Sequence, residues 1–198
     1  MNNIISTFAQ ATITELSEGM HWYSVARTGA FVLANEHGIT VRKAAGVIAA
    51  LSPNLKWELN IKAADTVIKA KKLGIDYQDA TCPAYKANRL KAYKVLECDD
   101  DDNIPEILNG LKITSFYNCI VDENTDDICI DGHSKNVYFG ERIQLKNNAI
   151  NKTQYRFIQK EYRLATETIN LAFGFSLTPA QVQAVTWVVW RRIHNISK

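Results

Sequence analysis

Residues 107–118 read ILNGLKITSFYN, and the fold prediction starts from this stretch. Apolar residues at helical spacing lie on both sides of Asn109-Gly110. Glycine permits a sharp turn there, because it has no side chain to clash in the left-handed backbone region. The sequence therefore predicts a hairpin of two short helices, at 104–109 and 112–121.

The rest of the chain also reads as helices. Apolar residues recur at helical spacing, and Gly, Pro or Asp separate the patterns, with no convincing strand pair. The predicted class is all-α, with Asp131 capping a helix that runs through 137. The other helices are predicted at 22–35, 41–51, 56–73, 84–96, 154–173 and 179–193.

The length of the chain sets the expected domain organisation. Its 198 residues suit a single domain, 1–198, which we expect to form two helical lobes around one groove. A chain of this size buries roughly 70% of its unfolded surface, so a sizeable core is expected.

Charge is balanced overall but unevenly distributed. The net charge is only +2, yet the segment 42–94 carries eleven Lys or Arg against four acids. Acidic residues collect later, at 99–102 and 122–127. This split is consistent with a basic surface that faces a nucleic-acid backbone. A solvated helix surface is the alternative.

Composition also indicates the compartment. The N-terminus lacks a basic region followed by an apolar run, and no stretch has the roughly 18 apolar residues of a membrane helix. We expect a cytoplasmic protein with reduced thiols, in the host cytoplasm if a phage encodes it, and no membrane partner. The four cysteines stand singly in the sequence, at Cys82, Cys98, Cys119 and Cys129.

No cofactor motif is present. The cysteine pattern does not suit an iron–sulfur cluster, and no Gly-rich phosphate loop occurs. The four histidines show no metal-ligand spacing, so neither a metal nor an organic cofactor is predicted. Their positions are His21, His37, His133 and His194.

Lys112 and Asp131 are the residues that we predict to be catalytic. Lys112 lies just past the hairpin turn, where the helix dipole disfavours a cation; partial burial as well would lower its pKa and supply a neutral amine. Such an amine can attack C1′ of a deoxyribose and form a Schiff base. Asp131 follows 131 − 112 = 19 positions later and is suited to stabilise a positively charged sugar.

Each of these residues also has a purely structural interpretation. Most lysines are simply solvated, and an aspartate before Gly132 is explained by capping a helix. His133 has a similar structural alternative. The chemical prediction therefore requires Lys112 and Asp131 to point into a shared cleft.

Two segments resemble the helix-hairpin-helix DNA glycosylase superfamily. Gly110-Leu111-Lys112, residues 116–118 and Asp131-x-His133 resemble its hairpin-to-aspartate segment, nearest the 8-oxoguanine glycosylase/AP lyase branch. Residues 49–54 followed by Trp57 resemble its "LSQNT…W" helix. The likeness covers about 45–140, with the hairpin and catalytic segment at 104–140. In the C-terminal half, residues 178–184 with two later tryptophans resemble uncharacterised phage proteins.

The resemblance implies a function and a set of roles. It implies a DNA N-glycosylase, with or without AP lyase activity, that acts on a damaged or modified base flipped from the duplex. Lys112 would be the Schiff-base lysine and Asp131 the catalytic aspartate. The turn Asn109, Gly110 and Leu111 would bind backbone phosphate, with or without a monovalent cation. The substrate-binding residues would be Asn54, Trp57, Tyr117 and His133.

Alternatives remain open on the same fold. The hairpin reads LNGL rather than LPGxG, and another register places Thr114 at the lysine position, which would exclude Schiff-base chemistry. Two other functions are considered. One is a phage enzyme that modifies thymine-derived bases, and the other is a non-catalytic protein that binds nucleic acid or a host factor. DNA and a free nucleotide both remain candidate substrates, and the sequence leaves the oligomeric state open.

Aromatic residues near the two chain ends have two interpretations. Trp187 and Trp190 lie among valines of the last predicted helix, so we expect core packing, with base stacking as the alternative. Trp22 and Tyr23 are also expected to pack in the core. The neighbouring Arg191 and Arg192 are candidates for a phosphate contact.

Overall fold

The computed structural model describes residues 1–144 and 147–196. Within these ranges every regular element is a helix and no strand occurs, so the predicted all-α class is confirmed. A short 3-10 helix, Asp101–Asn103, directly precedes the sixth α-helix. The α-helices are α1 (Asn2–Phe8), α2 (Ile13–His37), α3 (Val41–Leu51), α4 (Trp57–Lys72), α5 (Lys86–Glu97), α6 (Ile104–Leu108), α7 (Leu111–Val121), α8 (Gly132–Phe139), α9 (Lys152–Phe173) and α10 (Pro179–Ile193).

Several helices begin at a polar side chain that bonds to their first backbone amides. The side chains of Thr40 and Asn151 cap α3 and α9 in this way. Thr178 and Gln181 form a reciprocal capping box at the start of α10, where Pro179 is the first residue. Such residues satisfy amides that have no partner inside the helix, which is why the sequence indicates these boundaries well.

Helix α2 is longer than the predicted segment 22–35, and it begins at Ile13. The Thr12 amide donates to Glu15 Oε2 at 2.8 Å, and the Glu15 amide donates to Thr12 Oγ1 at 3.2 Å. This capping box was visible in the sequence as Thr-x-x-Glu and marks the true start of the helix. Helix α1 was also not predicted, because two buried apolar residues, Ile4 and Phe8, make too short a pattern.

The chain divides into two compact units. The terminal unit comprises Met1–Ser24 and Asp122–Lys198, and the central unit comprises Val25–Val121. Helix α2 contributes its first part to the terminal unit and the remainder to the central unit.

In the terminal unit, α1, α8, α9 and α10 pack against one another. The largest fully buried side chains of this core include Ile4, Ile158 and Tyr162. Gly19 of α2 lies so close to α10 that a Cβ atom there would be 2.4 Å from Cα of Val185. Only glycine permits this approach of two helix backbones.

In the central unit, α3 is the buried helix. Every residue from Ala44 to Leu51 is buried, and α3 packs against α4, α5, α6 and α7. Because several of these residues are alanine or glycine, neighbouring helices approach α3 closely. A Cβ atom on Gly46 would be 2.8 Å from Cγ1 of Val95 and 2.9 Å from Cγ2 of Ile104.

The described residues can be compared with two expectations, on membrane-spanning helices and on the state of the cysteines. None of their helices combines the length and apolar content needed to span a bilayer. The four cysteines, all of which are described, form no disulfide. The expectation of reduced thiols is consistent with this state.

Candidate active site

The Asp131 carboxylate caps α8 in the terminal unit. Its Oδ1 accepts a hydrogen bond from the Ser134 amide at 2.8 Å and another from Ser134 Oγ at 2.9 Å. This is the capping role that the sequence predicts for an aspartate before Gly-His-Ser. The residue stays partly exposed to solvent.

The second carboxylate oxygen has a partner on a different helix. Trp187 of α10 donates from Nε1 to Asp131 Oδ2 at 3.0 Å. Both oxygens of Asp131 are therefore fixed, one by its own helix and one by α10.

A buried polar chain supports Asp131 from within the unit. Ser134 Oγ accepts from Gln183 Nε2 at 3.1 Å, and Gln183 Oε1 accepts from the Tyr23 hydroxyl at 2.9 Å. All three side chains are buried. Buried polar groups that are all satisfied fix one conformation, because any other arrangement would leave a group unpaired in a low-dielectric interior.

Tyr162 and Thr186 continue this polar chain. Their hydroxyl groups lie 3.2 Å apart, and Thr186 Oγ1 also donates to the Gln183 carbonyl oxygen at 2.9 Å. Burial raises the pKa of the Tyr162 hydroxyl far above its ordinary value, although the hydrogen bond with Thr186 opposes the shift. Tyr162 is therefore a neutral phenol at any physiological pH.

Other partly exposed side chains lie around Trp187, the tryptophan that donates to Asp131. The Trp187 ring lies edge to face with His133 at 6.4 Å and with Trp22 at 6.2 Å between centroids. The Arg191 guanidinium lies over the Trp187 ring at 4.3 Å. All four side chains are partly exposed. We call Asp131, His133, Trp22, Trp187 and Arg191 the Asp131 cluster.

The cluster changes the interpretation of the aromatic residues. Trp190 and Tyr23 are buried, at 5% and 8% exposure, which confirms the core prediction for them. Trp187 and Trp22 are only half-buried, and Trp187 bonds to the candidate catalytic aspartate, so for these two both core packing and base stacking stay predictions. Valines on the buried side of α10 concealed this difference in the sequence.

The predicted hairpin is present in the central unit. Helices α6 and α7 are joined by Asn109 and Gly110, and Asn109 adopts the left-handed conformation with φ of 41°. Its amide donates to the Pro105 carbonyl oxygen at 3.2 Å. Of the three turn residues predicted to bind phosphate, Asn109 thus already uses its backbone donor.

Lys91 supports the hairpin from α5. Its ammonium group donates to the Leu108 carbonyl oxygen, at the end of α6. Burial lowers the pKa of Lys91 below its usual range. A cation at the carbonyl end of a helix is favourable, since the partial charge there is negative.

Lys112 lies in the first turn of α7 and is exposed. The predicted neutral amine depends on partial burial of Lys112, and the exposed position of this residue does not provide that burial. Thr114, the residue of the alternative register, is half-buried, and its hydroxyl lies 3.5 Å from the Pro105 carbonyl oxygen.

Tyr117 does not fit the substrate-binding role that the resemblance implies. It is 1% exposed, and its hydroxyl accepts a hydrogen bond from Arg42 Nε at 3.2 Å. A ring buried to this extent packs the core of the central unit and has no surface for a base. The correction follows from its position on α7, which faces the buried helix α3.

Asn54 and Trp57 are the other residues predicted to bind the substrate. Asn54 lies in the turn between α3 and α4, and Trp57 is the first residue of α4. Asn54 is exposed, has a φ of 64°, and donates from Nδ2 to the Tyr85 hydroxyl at 3.0 Å. Trp57 is half-buried. Both belong to the central unit, as do Lys112 and the hairpin, whereas Asp131 and His133 belong to the terminal unit. The shared cleft for Lys112 and Asp131 stays a prediction.

Trp57 lines a groove that the sequence did not predict. The groove has a volume of about 600 Å³ and lies between α2 and α4 of the central unit. Its apolar lining includes Val25, Val32, Trp57 and Ile61, and its polar lining includes Glu36, Lys62 and Asp65. We call it the α2–α4 groove.

A cluster of ionisable groups lies beside this groove. His37 Nε2 is 2.8 Å from Asp65 Oδ1, and Lys69 Nζ is 2.7 Å from Asp65 Oδ2. One ligand atom each of Glu36, His37 and Asp65 lies within 4.8 Å of the others. Burial would raise the pKa of Asp65, but the hydrogen bonds from Lys69 and His37 outweigh it and the pKa is lowered.

Together, the fold and the cluster define an all-α protein in which a helix-capping aspartate accepts a hydrogen bond from a partly exposed tryptophan. The model of a family of unknown function, DUF7178, matches residues 1–194, and the chain belongs to this family. Neither the curated proteins nor the solved structures contain a match to the chain.

Proposed function

We propose that this protein is a DNA N-glycosylase whose chemistry is performed at the Asp131 cluster. The observation on which the proposal depends is that Asp131 is fixed through both carboxylate oxygens, one of them by Trp187. The partly exposed Trp187 ring in turn contacts His133 and Trp22. The hairpin of α6 and α7 and the sequence resemblance to helix-hairpin-helix glycosylases support DNA as the substrate.

The proposed reaction breaks the bond between C1′ and the base nitrogen. The bonding electron pair leaves with the base, which takes up a proton, and the sugar becomes positively charged. The Asp131 carboxylate stabilises this charge, because a fixed anion needs no reorganisation as the charge develops. Water then bonds to C1′ and releases a proton. The half-exposed rings would stack on the flipped base.

The exposed position of Lys112 favours hydrolysis over Schiff-base chemistry. A Schiff-base lysine needs an environment that favours its neutral amine, and the exposed first turn of α7 does not provide the burial that would do so. The same observation favours a second candidate, an enzyme that modifies a thymine-derived base, because displacement at the base needs no Schiff base. Comparing the nucleosides of phage DNA with and without the gene distinguishes this candidate from a glycosylase.

The test is release of bases from duplexes that each contain one modified base. We expect the wild type to release at least one base of a broad panel and Asp131→Asn to lower the rate by about 10²- to 10³-fold, as for loss of a transition-state stabiliser. Asp122→Asn, an exposed acid of the same unit, serves as the matched control and should retain activity.

Borohydride trapping tests the role of Lys112 in the same assay. We expect no trapped adduct and undiminished base release by Lys112→Gln. An adduct that this substitution abolishes would restore the lyase mechanism. A wild type inactive on the whole panel, or an Asp131→Asn variant as active as the wild type, would contradict the glycosylase proposal.

A further inference from the structure

The ionisable cluster beside the α2–α4 groove has the composition of a transition-metal site. Glu36 and His37 end α2, and Asp65 lies in the middle of α4. Imidazole nitrogen together with carboxylate oxygen is a donor set that suits zinc and similar divalent cations. Mg²⁺ and Ca²⁺ prefer sets made of oxygen alone.

The separations between donor atoms lie on both sides of those around a single ion, so binding one would need small shifts of the side chains. Ligands of tetrahedral zinc at bond lengths near 2.1 Å lie about 3.4 Å from one another. His37 Nε2 and Asp65 Oδ1 are 2.8 Å apart, and all three donors lie within 4.8 Å of one another. Glu36 is exposed, and its long side chain can close the remaining distance by a rotamer change.

The burial of His37 distinguishes this cluster from a chance pairing of side chains on the surface. The residue is 6% exposed, and its Nε2 is directed at the Asp65 carboxylate. Because Nε2 is also the nitrogen that would bind the ion, the metal would take the place of the hydrogen bond between His37 and Asp65. Glu36 and Asp65 both line the groove, so an open coordination position would face a cavity of about 600 Å³.

We infer that Glu36, His37 and Asp65 bind one divalent transition-metal ion, zinc or a similar cation, at the polar end of the α2–α4 groove. Three protein ligands leave at least one coordination position for water or a ligand in the groove. The inference does not depend on the proposed glycosylase activity, since the groove belongs to the central unit and the Asp131 cluster to the terminal unit.

Positive side chains at the cluster oppose the ion and provide a specific test. The Lys69 ammonium bonds to Asp65 Oδ2, and Lys62 lies in the groove lining. A metal ion must compete with Lys69 for Asp65. Removing the ammonium frees Asp65 Oδ2 for the ion, so Lys69→Met should tighten binding about fivefold.

The experiment is a titration of the full chain with Co²⁺, followed by its visible absorption band, with Zn²⁺ as competitor. We expect one Co²⁺ per chain, displaced by Zn²⁺. Glu36→Gln and Asp65→Asn should each weaken binding at least tenfold. Glu58→Gln and Lys72→Met, exposed positions on the same helix α4, are the matched controls and should leave the affinity unchanged.

His37→Gln tests the nitrogen ligand, with helix content checked by circular dichroism because His37 is buried. If this variant does not fold, the exposed Glu36 and Lys69 variants decide the question. The inference is overturned by a wild type that binds neither ion, by Glu36→Gln and Asp65→Asn binding as tightly as the wild type, or by Lys69→Met failing to bind more tightly.

Discussion

The position of Asp131 combines a local contact with a distant one. Its bonds to Ser134 span three positions and are the helix cap that the sequence predicts. Its bond to Trp187 spans 56 positions and exists only because α8 and α10 pack together. Sequence reasoning therefore identified the aspartate but not the tryptophan that orients it.

The bond between Trp187 and Asp131 can be measured by a double-mutant cycle. Trp187→Phe keeps a ring but removes the donor, and Asp131→Asn removes the charge. Hydrogen bonds to charged groups contribute about 1.5–3 kcal/mol, so we expect a coupling energy of at least about 1 kcal/mol in the free energy of unfolding. Chemical denaturation of the two single variants and the double variant gives this value.

Trp190 supplies the control for that cycle. It lies on the same helix, and its Nε1 has no hydrogen-bond partner among the described residues. Trp190→Phe combined with Asp131→Asn should be additive within about 0.5 kcal/mol. Equal coupling in the two cycles would show that the Trp187 bond contributes nothing specific.

At the scale of elements, the hairpin and α2 show what patterns predict and what they miss. The Asn-Gly turn and its two flanking helices were predicted within a few residues, because turn chemistry is local. The same pattern gave no information on burial, so Lys112 proved exposed and Tyr117 proved buried. In α2, the reason for Gly19 lies in the approach of α10, which no local pattern reveals.

Replacing each of the two glycines within α2 by alanine should change the free energy of unfolding differently at the two positions. Gly19→Ala would place Cβ 2.4 Å from the Val185 backbone, whereas Gly29→Ala would place it 3.4 Å from Ile61 Cδ1, an ordinary contact. Alanine favours a helix over glycine by about 1 kcal/mol. We expect Gly29→Ala to be neutral or stabilising.

For Gly19→Ala, the steric clash should exceed this gain and lower the free energy of unfolding by about 2 kcal/mol or more. Thermal or urea unfolding of the two variants checks the sign. If Gly19→Ala were as stable as Gly29→Ala, the close packing of α2 on α10 would be disproved.

At the scale of the molecule, each unit contains a carboxylate whose charge stabilises the fold. In the central unit this is Asp65, bonded to Lys69 and His37. In the terminal unit it is Glu15: burial would raise its pKa, but the bonds from Arg192 and Thr12 outweigh burial and lower it. Both groups bind protons more weakly when the chain is folded.

Stability should therefore fall on acidification. A lowered folded pKa gives stability that is present above the unfolded pKa of about 4 and is lost as the pH falls through the folded pKa. We expect Asp65→Asn and Glu15→Gln to be less stable than the wild type at pH 7 and to lose less stability toward pH 3. Urea unfolding at a series of pH values measures this, with Glu58→Gln as the exposed control. Parallel pH curves for all variants would contradict the assignment.

The sequence by itself determined the all-α class, most helix boundaries, the hairpin turn and the capping role of Asp131. These depend on spacing, turn residues and caps, which act over a few positions. Tertiary structure alone decided the bond between Trp187 and Asp131, the half-exposed rings around it, the buried state of Tyr117 and the Glu36–His37–Asp65 cluster. Each of these results from helices distant in sequence that pack side by side, and a helical pattern specifies which face is apolar but not which helix will cover it.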